Sequence, residues 1–308
     1  MKFAIVGTGG VGGYFGGKLA AAGYDVAFIA RGEHLKAILT NGLTVKSING
    51  DFTVKPSKAT SNIAEVGVVD VIFVCLKAWQ IREMAAQLKP MIGDRTVVIP
   101  LQNGVIATDE LREVLGVHSV VRGLCRIFSK VESYGVINHF GGEPTVIFGE
   151  DSNEQTERVL RIKEAFGKAG VTAIVPKDIE AEVWKKFLGI CSSGLLAVCR
   201  SPYGAVRELP ETRQLLVDLF TEIYNVAKAK GVNLKPDIVE KTVKAVDSYD
   251  YDSTSSLTRD VMEGKPSEIE YQNGTVVRLG ETLGIPTPVN RFVYSCILLM
   301  EIKARSAK

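Results

Sequence analysis

Up to about residue 176, short β-rich apolar runs alternate with segments whose apolar residues recur at helical spacing. The runs "KFAIV", "YDVAFIA", "VIFVCL", "TVVIPL", "SVVRGL" and "TVIFGE" predict strands, and "GGYFGGKLAAAG", "WQIREMAAQLKPM" and "TDELREVLG" predict helices between them. The segment "LTVKSINGDFTVKP" predicts a hairpin, because Asn49-Gly50 falls between two β-prone runs and tolerates the positive φ angles of a two-residue turn. Strands and helices in alternation predict a mostly parallel, doubly wound α/β sheet with some antiparallel additions. After Pro176 the pattern becomes helical. "DIEAEVWKKFLGICSSGLLAV" opens with Asp178 as a candidate N-cap and places Glu180 and Glu182 in the first turns, where the helix dipole favours them. "ETRQLLVDLFTEIYNVAKAKG" and "VNRFVYSCILLMEIKAR" continue the helical pattern without an intervening strand.

The first strand runs into "GTGGVGG", where Gly7, Gly9 and Gly12 fall at the G-x-G-x-x-G spacing between a strand and a helix. Each glycine has its own reason. Gly7 permits the tight turn, Gly9 lets backbone approach a pyrophosphate, and Gly12 lets the helix sit close to the strand. The pyrophosphate is then held by unpaired N–H groups and the positive end of the helix dipole. The expected architecture is therefore a Rossmann-type dinucleotide-binding domain over residues 1–176 and an all-helical domain over 177–308.

The second strand decides between nucleotides. An NAD site usually carries Asp or Glu at its end to accept from the ribose hydroxyls. Here the strand ends in Ala30 and Arg31, with Asp25 at the opposite end and Glu33 a step further along the loop. A guanidinium at this place can pair with a 2′-phosphate, so NADP(H) is expected over NAD(H).

Composition narrows the class without changing it. With 308 residues, 46% hydrophobic and 23% charged, the chain can bury a sizeable core and is long enough for two domains. A formal net charge of +2 gives no general attraction to nucleic acid or an anionic membrane, so neither is expected as a partner. The first apolar run is too brief for a signal peptide and no run suggests a membrane span, which leads us to expect a cytoplasmic protein. Cys75, Cys125, Cys191, Cys199 and Cys296 are scattered, without a C-x-x-C, and His34, His118 and His139 form no metal-ligand spacing with them. Buried small side chains in a reducing compartment are the expectation, with no metal and no disulfide framework.

Three further segments narrow the chemistry. "CLKAWQ" sets Lys77 just beyond one strand and "PLQNGV" sets Gln102, Asn103 and Gly104 beyond the next, and ligands of open α/β sheets bind outside those carboxyl ends. The third is "EVWKKFLG" together with "DSTSSLTRDVMEGKPSEIEYQNG" in the helical half. With these in order the whole chain resembles the ketopantoate reductase (2-dehydropantoate 2-reductase) family. The resemblance rests on G-x-G-x-x-G at Gly7 to Gly12, Arg31, L-K-A-W-Q at Lys77, Q-N-G at Asn103, W-x-K ending at Lys186, and Ser256 followed at the family spacing by Glu268.

That resemblance implies NADPH-dependent reduction of a 2-oxo acid to a 2-hydroxy acid, with ketopantoate as the family's substrate. It implies Lys186 as the general acid, Asn103 and Ser256 as groups that hold the substrate, and Glu268 as a hydrogen-bonding partner of it. Lys77 assists placement of cofactor and substrate. The cofactor set is then Gly7, Thr8, Gly9, Gly10, Val11, Gly12, Arg31, Lys77 and Asn103. The chemistry is consistent with those roles, since hydride addition builds negative charge on a carbonyl oxygen that an ammonium stabilises and protonates.

One departure bears on the substrate. The family has asparagines on the lysine's helix at the positions of Ile190 and Gly194 here, and Tyr203 stands where many relatives have another asparagine. Read as one helix, Ile190 and Gly194 share a face with Lys186 and predict a more apolar, roomier wall. Ser193, close to Lys186 in angle, is the candidate for one replacement hydrogen bond. Two other readings stay open: reduction of a different 2-oxo acid with an apolar side chain, and a non-catalytic NADPH-binding regulator. A homodimer is the assembly left open.

Overall fold

The computed structural model describes residues 1–306, which divide into two compact units. The first comprises Met1–Gln102 and Ile106–Ile179, and the second runs from Glu180 onward together with Asn103–Val105.

The first unit holds ten strands. They are β1 (Lys2–Val6), β2 (Asp25–Ile29), β3 (Leu43–Ser47), β4 (Phe52–Val54), β5 (Lys58–Thr60), β6 (Val71–Val74), β7 (Val97–Pro100), β8 (Arg122–Ser133), β9 (Val136–Gly149) and β10 (Thr172–Ile174). Its helices are α1 (Gly10–Ala21), α2 (Gly32–Asn41), α3 (Ile81–Gln87), α4 (Ala107–Leu115) and α5 (Glu157–Lys168). Strands β5-β2-β1-β6-β7 form a parallel sheet in that order, the expected doubly wound arrangement. Both of its faces are covered. Phe3, Ile5, Phe28 and Phe73 pack into one core, while Ala4, Val6, Ile29, Ile72 and Val74 alternate with them into another.

The antiparallel pairs β3–β4 and β8–β9 lie apart from this sheet. They belong to a second, mixed five-stranded sheet, β10-β9-β3-β4 with β8 on β9, in which β9 runs parallel to β3 and β10. The expected β3–β4 hairpin is there, turning through Gly50 at φ +103°. The run read as ending at Leu124 continues to Ser133, because the outer part of β8–β9 is exposed and lacks the apolar alternation that marks a half-buried strand.

The glycines of α1 explain how both sheets fit around it. A Cβ at Gly12 would lie 2.2 Å from Gly7 O, and one at Gly16 would lie 2.6 Å from Ile5 Cγ1, so this face lies directly on the parallel sheet. A Cβ at Gly13 would lie 2.6 Å from Ile137 Cγ1 on the second sheet. The helix has glycine on two sides because it has a sheet on two sides.

The second unit is helical among the described residues. The helix α6 (Ile179–Ile190) leads into it. It is followed by α7 (Ser192–Cys199), α8 (Tyr203–Glu208), α9 (Pro210–Ala229), α10 (Ile238–Asp247), α11 (Ser256–Met262), α12 (Asn273–Leu283) and α13 (Pro288–Ser306). Among the described residues no helix is long and apolar enough to cross a membrane.

Candidate active site

In the first unit the nucleotide half begins at Gly7, whose φ of +99° only glycine adopts readily. Gly7 N and Thr8 N both donate to Ile29 O at 3.2 Å, and Thr8 Oγ1 donates to the same oxygen at 3.0 Å. The Thr8 side chain therefore ties the β1–α1 turn to the end of β2 rather than reaching outward. No side chain caps α1 and its first turn contains no acid, so its leading N–H groups remain available. A Cβ at Gly9 would meet nothing within 4 Å, which leaves open the approach that a pyrophosphate needs. The turn fits an anionic dinucleotide.

His34, to which sequence reasoning assigned no role, braces this turn. Gly135 N donates to its Nδ1 at 3.1 Å, so the ring proton resides on Nε2, which donates to Thr8 O at 2.8 Å. One imidazole thus links the glycine turn to the β8–β9 connection. Nothing local in the sequence marks it, because its partners lie 26 and 101 residues away.

Arg31 is exposed at the N-cap of α2, just past β2, and has no protein partner among the described residues. Glu33 is occupied by Lys36 at 2.6 Å. The Arg31 guanidinium stands unpaired at the carboxyl end of β2 among the described residues. Lys77 follows β6, its Nζ 5.7 Å from the centre of the Trp79 ring, and its backbone N–H donates to Gln80 Oε1 at 3.2 Å. Gln102 is buried, donating through Nε2 to Val74 O at 2.8 Å and Leu76 O at 3.1 Å, so it joins the carboxyl ends of β6 and β7.

Asn103, Lys186, Ser256 and Glu268, from four segments, all belong to the second unit. Gly104, at φ +117°, has its Cβ direction 3.0 Å from Tyr271 O, so the Asn103–Val105 segment lies against the turn that follows Glu268. Lys186 is half-buried on α6, beside the core residues Trp184 and Phe187, whose rings meet edge to face at 5.4 Å. Its neighbour Lys185 is paired with Glu182 at 2.7 Å. Ser256 is the exposed first residue of α11, and the cap is Ser255, whose Oγ accepts from Thr258 N at 3.0 Å. Glu268 is buried. The residue before it is clamped by Glu301 of α13, whose Oε2 accepts from Ser267 N at 2.7 Å and Ser267 Oγ at 2.8 Å.

One expectation about the wall beside Lys186 needs correction. The helix carrying Lys186 ends at Ile190 and α7 begins at Ser192, with Cys191 between them in right-handed helical conformation (φ −66°, ψ −17°) and its N–H donating to Phe187 O at 3.2 Å, so the chain stays helical through the junction. Gly194, however, is not an opening. A Cβ there would lie 2.5 Å from Asn273 Oδ1 and 2.6 Å from Val293 Cγ1, so the side chain of Asn273 fills the space. Asn273 Nδ2 donates to Cys191 O at 3.1 Å and Asn290 Oδ1 at 3.0 Å, while Asn290 Nδ2 donates to Glu222 Oε2 at 2.8 Å. This buried chain of amides ties the α6–α7 junction to α12, α13 and α9. Only Ile190 remains as a half-buried apolar replacement on the helix of Lys186.

Ser193 lies inside the unit at 2% exposure, hydrogen-bonded through its side chain to Tyr203. Ser192 Oγ is 3.0 Å from Tyr203 Oη. Burial pushes the Tyr203 hydroxyl up to about 12, with the Ser192 hydrogen bond opposing. The Ser193 hydroxyl is thus spent on a buried hydroxyl cluster. Burial likewise pushes the Cys191 thiol well up, which keeps it protonated and unreactive.

Comparison with known proteins gives concordant matches across the chain. The family model described as ketopantoate reductase PanE/ApbA matches residues 3–153, and the one for the PanE/ApbA C terminal matches residues 178–301. An uncharacterized oxidoreductase, YkpB of Bacillus subtilis, is 31% identical over 98% of this chain and 99% of its own. A 2-dehydropantoate 2-reductase of Mesorhizobium japonicum is 32% identical over 94% of each chain. The crystal structure of a PanE/ApbA family ketopantoate reductase from Ralstonia eutropha superposes with a TM-score of 0.91 at 31% identity, covering 99% of this chain and 100% of that one.

Proposed function

The chain belongs to the ketopantoate reductase family, and from that premise we propose that it uses NADPH to reduce 2-dehydropantoate to pantoate, a step toward pantothenate and coenzyme A. The observation that supports this most is the grouping of Asn103 with Lys186, Ser256 and Glu268 in one compact unit, despite their separation along the chain. Those residue types are what the reduction of a 2-oxo acid needs. The partnerless Arg31 supports NADPH over NADH, because a second phosphate would otherwise face no cation there.

A bound reduced nicotinamide supplies hydride to the carbonyl carbon of the substrate. As charge builds on the carbonyl oxygen, the Lys186 ammonium donates a hydrogen bond that strengthens toward the transition state. Lys186 then gives its proton to that oxygen, leaving a 2-hydroxy acid, and recovers a proton from solvent before the next turnover. Asn103 and Ser256 hold the substrate, and Glu268 hydrogen-bonds to it. Lys77 assists placement of cofactor and substrate. In the first unit the N–H groups of Gly9 to Gly12 would hold the pyrophosphate and Arg31 the 2′-phosphate.

Ile190 favours a second reading, in which the substrate is another 2-oxo acid with an apolar side chain. Oxidation of NADPH, followed at its absorbance maximum across a panel of 2-oxo acids, separates the two. The highest kcat/KM is expected with 2-dehydropantoate. Faster turnover of an aliphatic 2-oxo acid would favour the second reading, and no turnover with any 2-oxo acid would favour a non-catalytic NADPH-binding protein.

A further inference from the structure

Gln272 has a buried carboxamide that the protein leaves unused. The residue is 1% exposed, and its buried Oε1 has no hydrogen-bond partner. Only its backbone is committed, the N–H donating to Glu268 O at 3.0 Å. Burying an amide oxygen without a partner costs roughly 1–3 kcal/mol in proteins, so such a group is retained where something else completes it.

Its position suggests what that is. On one side is Tyr271, whose carbonyl lies against Gly104 next to Asn103. On the other is Asn273, whose Nδ2 holds Cys191 O at the end of the helix carrying Lys186. Four residues earlier is Glu268, linked to Gln272 through the backbone bond. The segments of Asn103 and Lys186 therefore contact the residues on either side of Gln272, and Glu268 is bonded to its backbone. Of the other candidates for the absent asparagine amides, Ser193 is spent on Tyr203, and Asn273 is tied through its Nδ2 to Cys191 and Asn290, although its Oδ1 is also buried without a partner.

We propose that the Gln272 carboxamide is a specificity-determining group that hydrogen-bonds a hydroxyl on the substrate, beyond its 2-oxo acid head. This rests on the reading of the protein as a 2-oxo acid reductase. A carboxamide both donates and accepts, which suits a hydroxyl. A site built to pair with a hydroxyl penalises a substrate lacking it, because its own polar group is then left bare.

The test measures kcat/KM for 2-dehydropantoate and for its deoxy analogue, 2-oxo-3,3-dimethylbutanoate, in the wild-type protein and in Gln272→Met and Gln272→Leu, with the ligand-free melting midpoint of each. The wild-type protein is expected to prefer the hydroxylated acid by about tenfold or more. Both variants should lose most of that preference through 2-dehydropantoate alone, leaving the analogue within about threefold of wild type. Their ligand-free midpoints should be unchanged or raised, since an unpaired buried amide has been removed. A structural role would instead lower the midpoint and reduce both substrates together, which overturns the proposal. A wild-type protein that reduces both acids equally also overturns it, whether or not the variants fold. If the wild-type protein reduces neither acid, the parent reading fails and this one with it.

Discussion

Placing a side chain at Gly194 tests whether the space there is already occupied. In Gly194→Ala the new methyl would begin 2.5 Å from Asn273 Oδ1 and 2.6 Å from Val293 Cγ1, well inside contact distance. If the surroundings hold, overpacking of a core costs about 1–3 kcal/mol. If Asn273 moves away, its hydrogen bonds to Cys191 O at 3.1 Å and Asn290 Oδ1 at 3.0 Å are broken. Leaving buried partners unpaired costs about 1–3 kcal/mol for each. A net loss of about 1–3 kcal/mol is therefore expected, the cheaper route setting the cost. For a folding unit of this size that lowers the melting midpoint by about 2–12 °C. Thermal unfolding followed by circular dichroism reads it, and a double-mutant cycle with Asn273→Ala isolates the clash. The pair should couple by about 1–2 kcal/mol, the alanine at 194 being tolerated better once Asn273 is shortened. A single variant melting within about 1 °C of wild type, or strictly additive effects, would refute the claim that Asn273 fills this site. Gly194→Asn should be at least as destabilising, so restoring the family residue does not by itself restore a substrate contact.

Arg31→Ala should weaken NADPH by about 10- to 100-fold while changing NADH little, the loss of charge-assisted hydrogen bonds to a 2′-phosphate; titration calorimetry with both cofactors checks it, and equal losses would remove the assignment. Lys186→Ala should lower kcat by about 10² to 10⁴ with NADPH affinity retained, as measured by single-turnover kinetics alongside cofactor binding. Tyr203 ionises at about 12 in the folded protein, above its ordinary value near 10, so the unfolded chain releases this proton first. Its contribution to stability is thus fully present below about pH 10 and lost as pH rises toward 12, amounting to about 3 kcal/mol at most, and alkaline unfolding of Tyr203→Phe should show that much less pH dependence than wild type.

Features governed by local backbone geometry could be read directly from the chain. The glycine turn at Gly7 to Gly12, the Asn49-Gly50 hairpin, the end of β2 at Arg31 and the change to helices after Pro176 each depend on residues within a few positions of one another, where turn chemistry and periodicity act. The spacing from Lys77 through Asn103 and Lys186 to Glu268 was equally legible, since it is a property of order along the chain.

What escaped the sequence depends on residues that meet only after folding. The outer half of β8–β9 is exposed and carries no alternating signal, so both its length and the second sheet had to come from strand pairing. The carbonyl of Cys191, at the α6–α7 junction, is held by an amide from α12 that is braced by Asn290 and Glu222, a set of contacts no local pattern marks. Gly194 looked like empty space because a glycine's surroundings are not written beside it; they come from Asn273 and Val293. His34 and Glu301 act through partners distant in sequence, and Gln272 is notable for the partners it lacks. The sequence determined the local turns, the fold class and the order of the chemical groups, because short-range sterics and periodicity encode those. Tertiary packing alone decided which polar side chains are satisfied and which remain free to meet a ligand, because that depends on contacts between segments with no local relation.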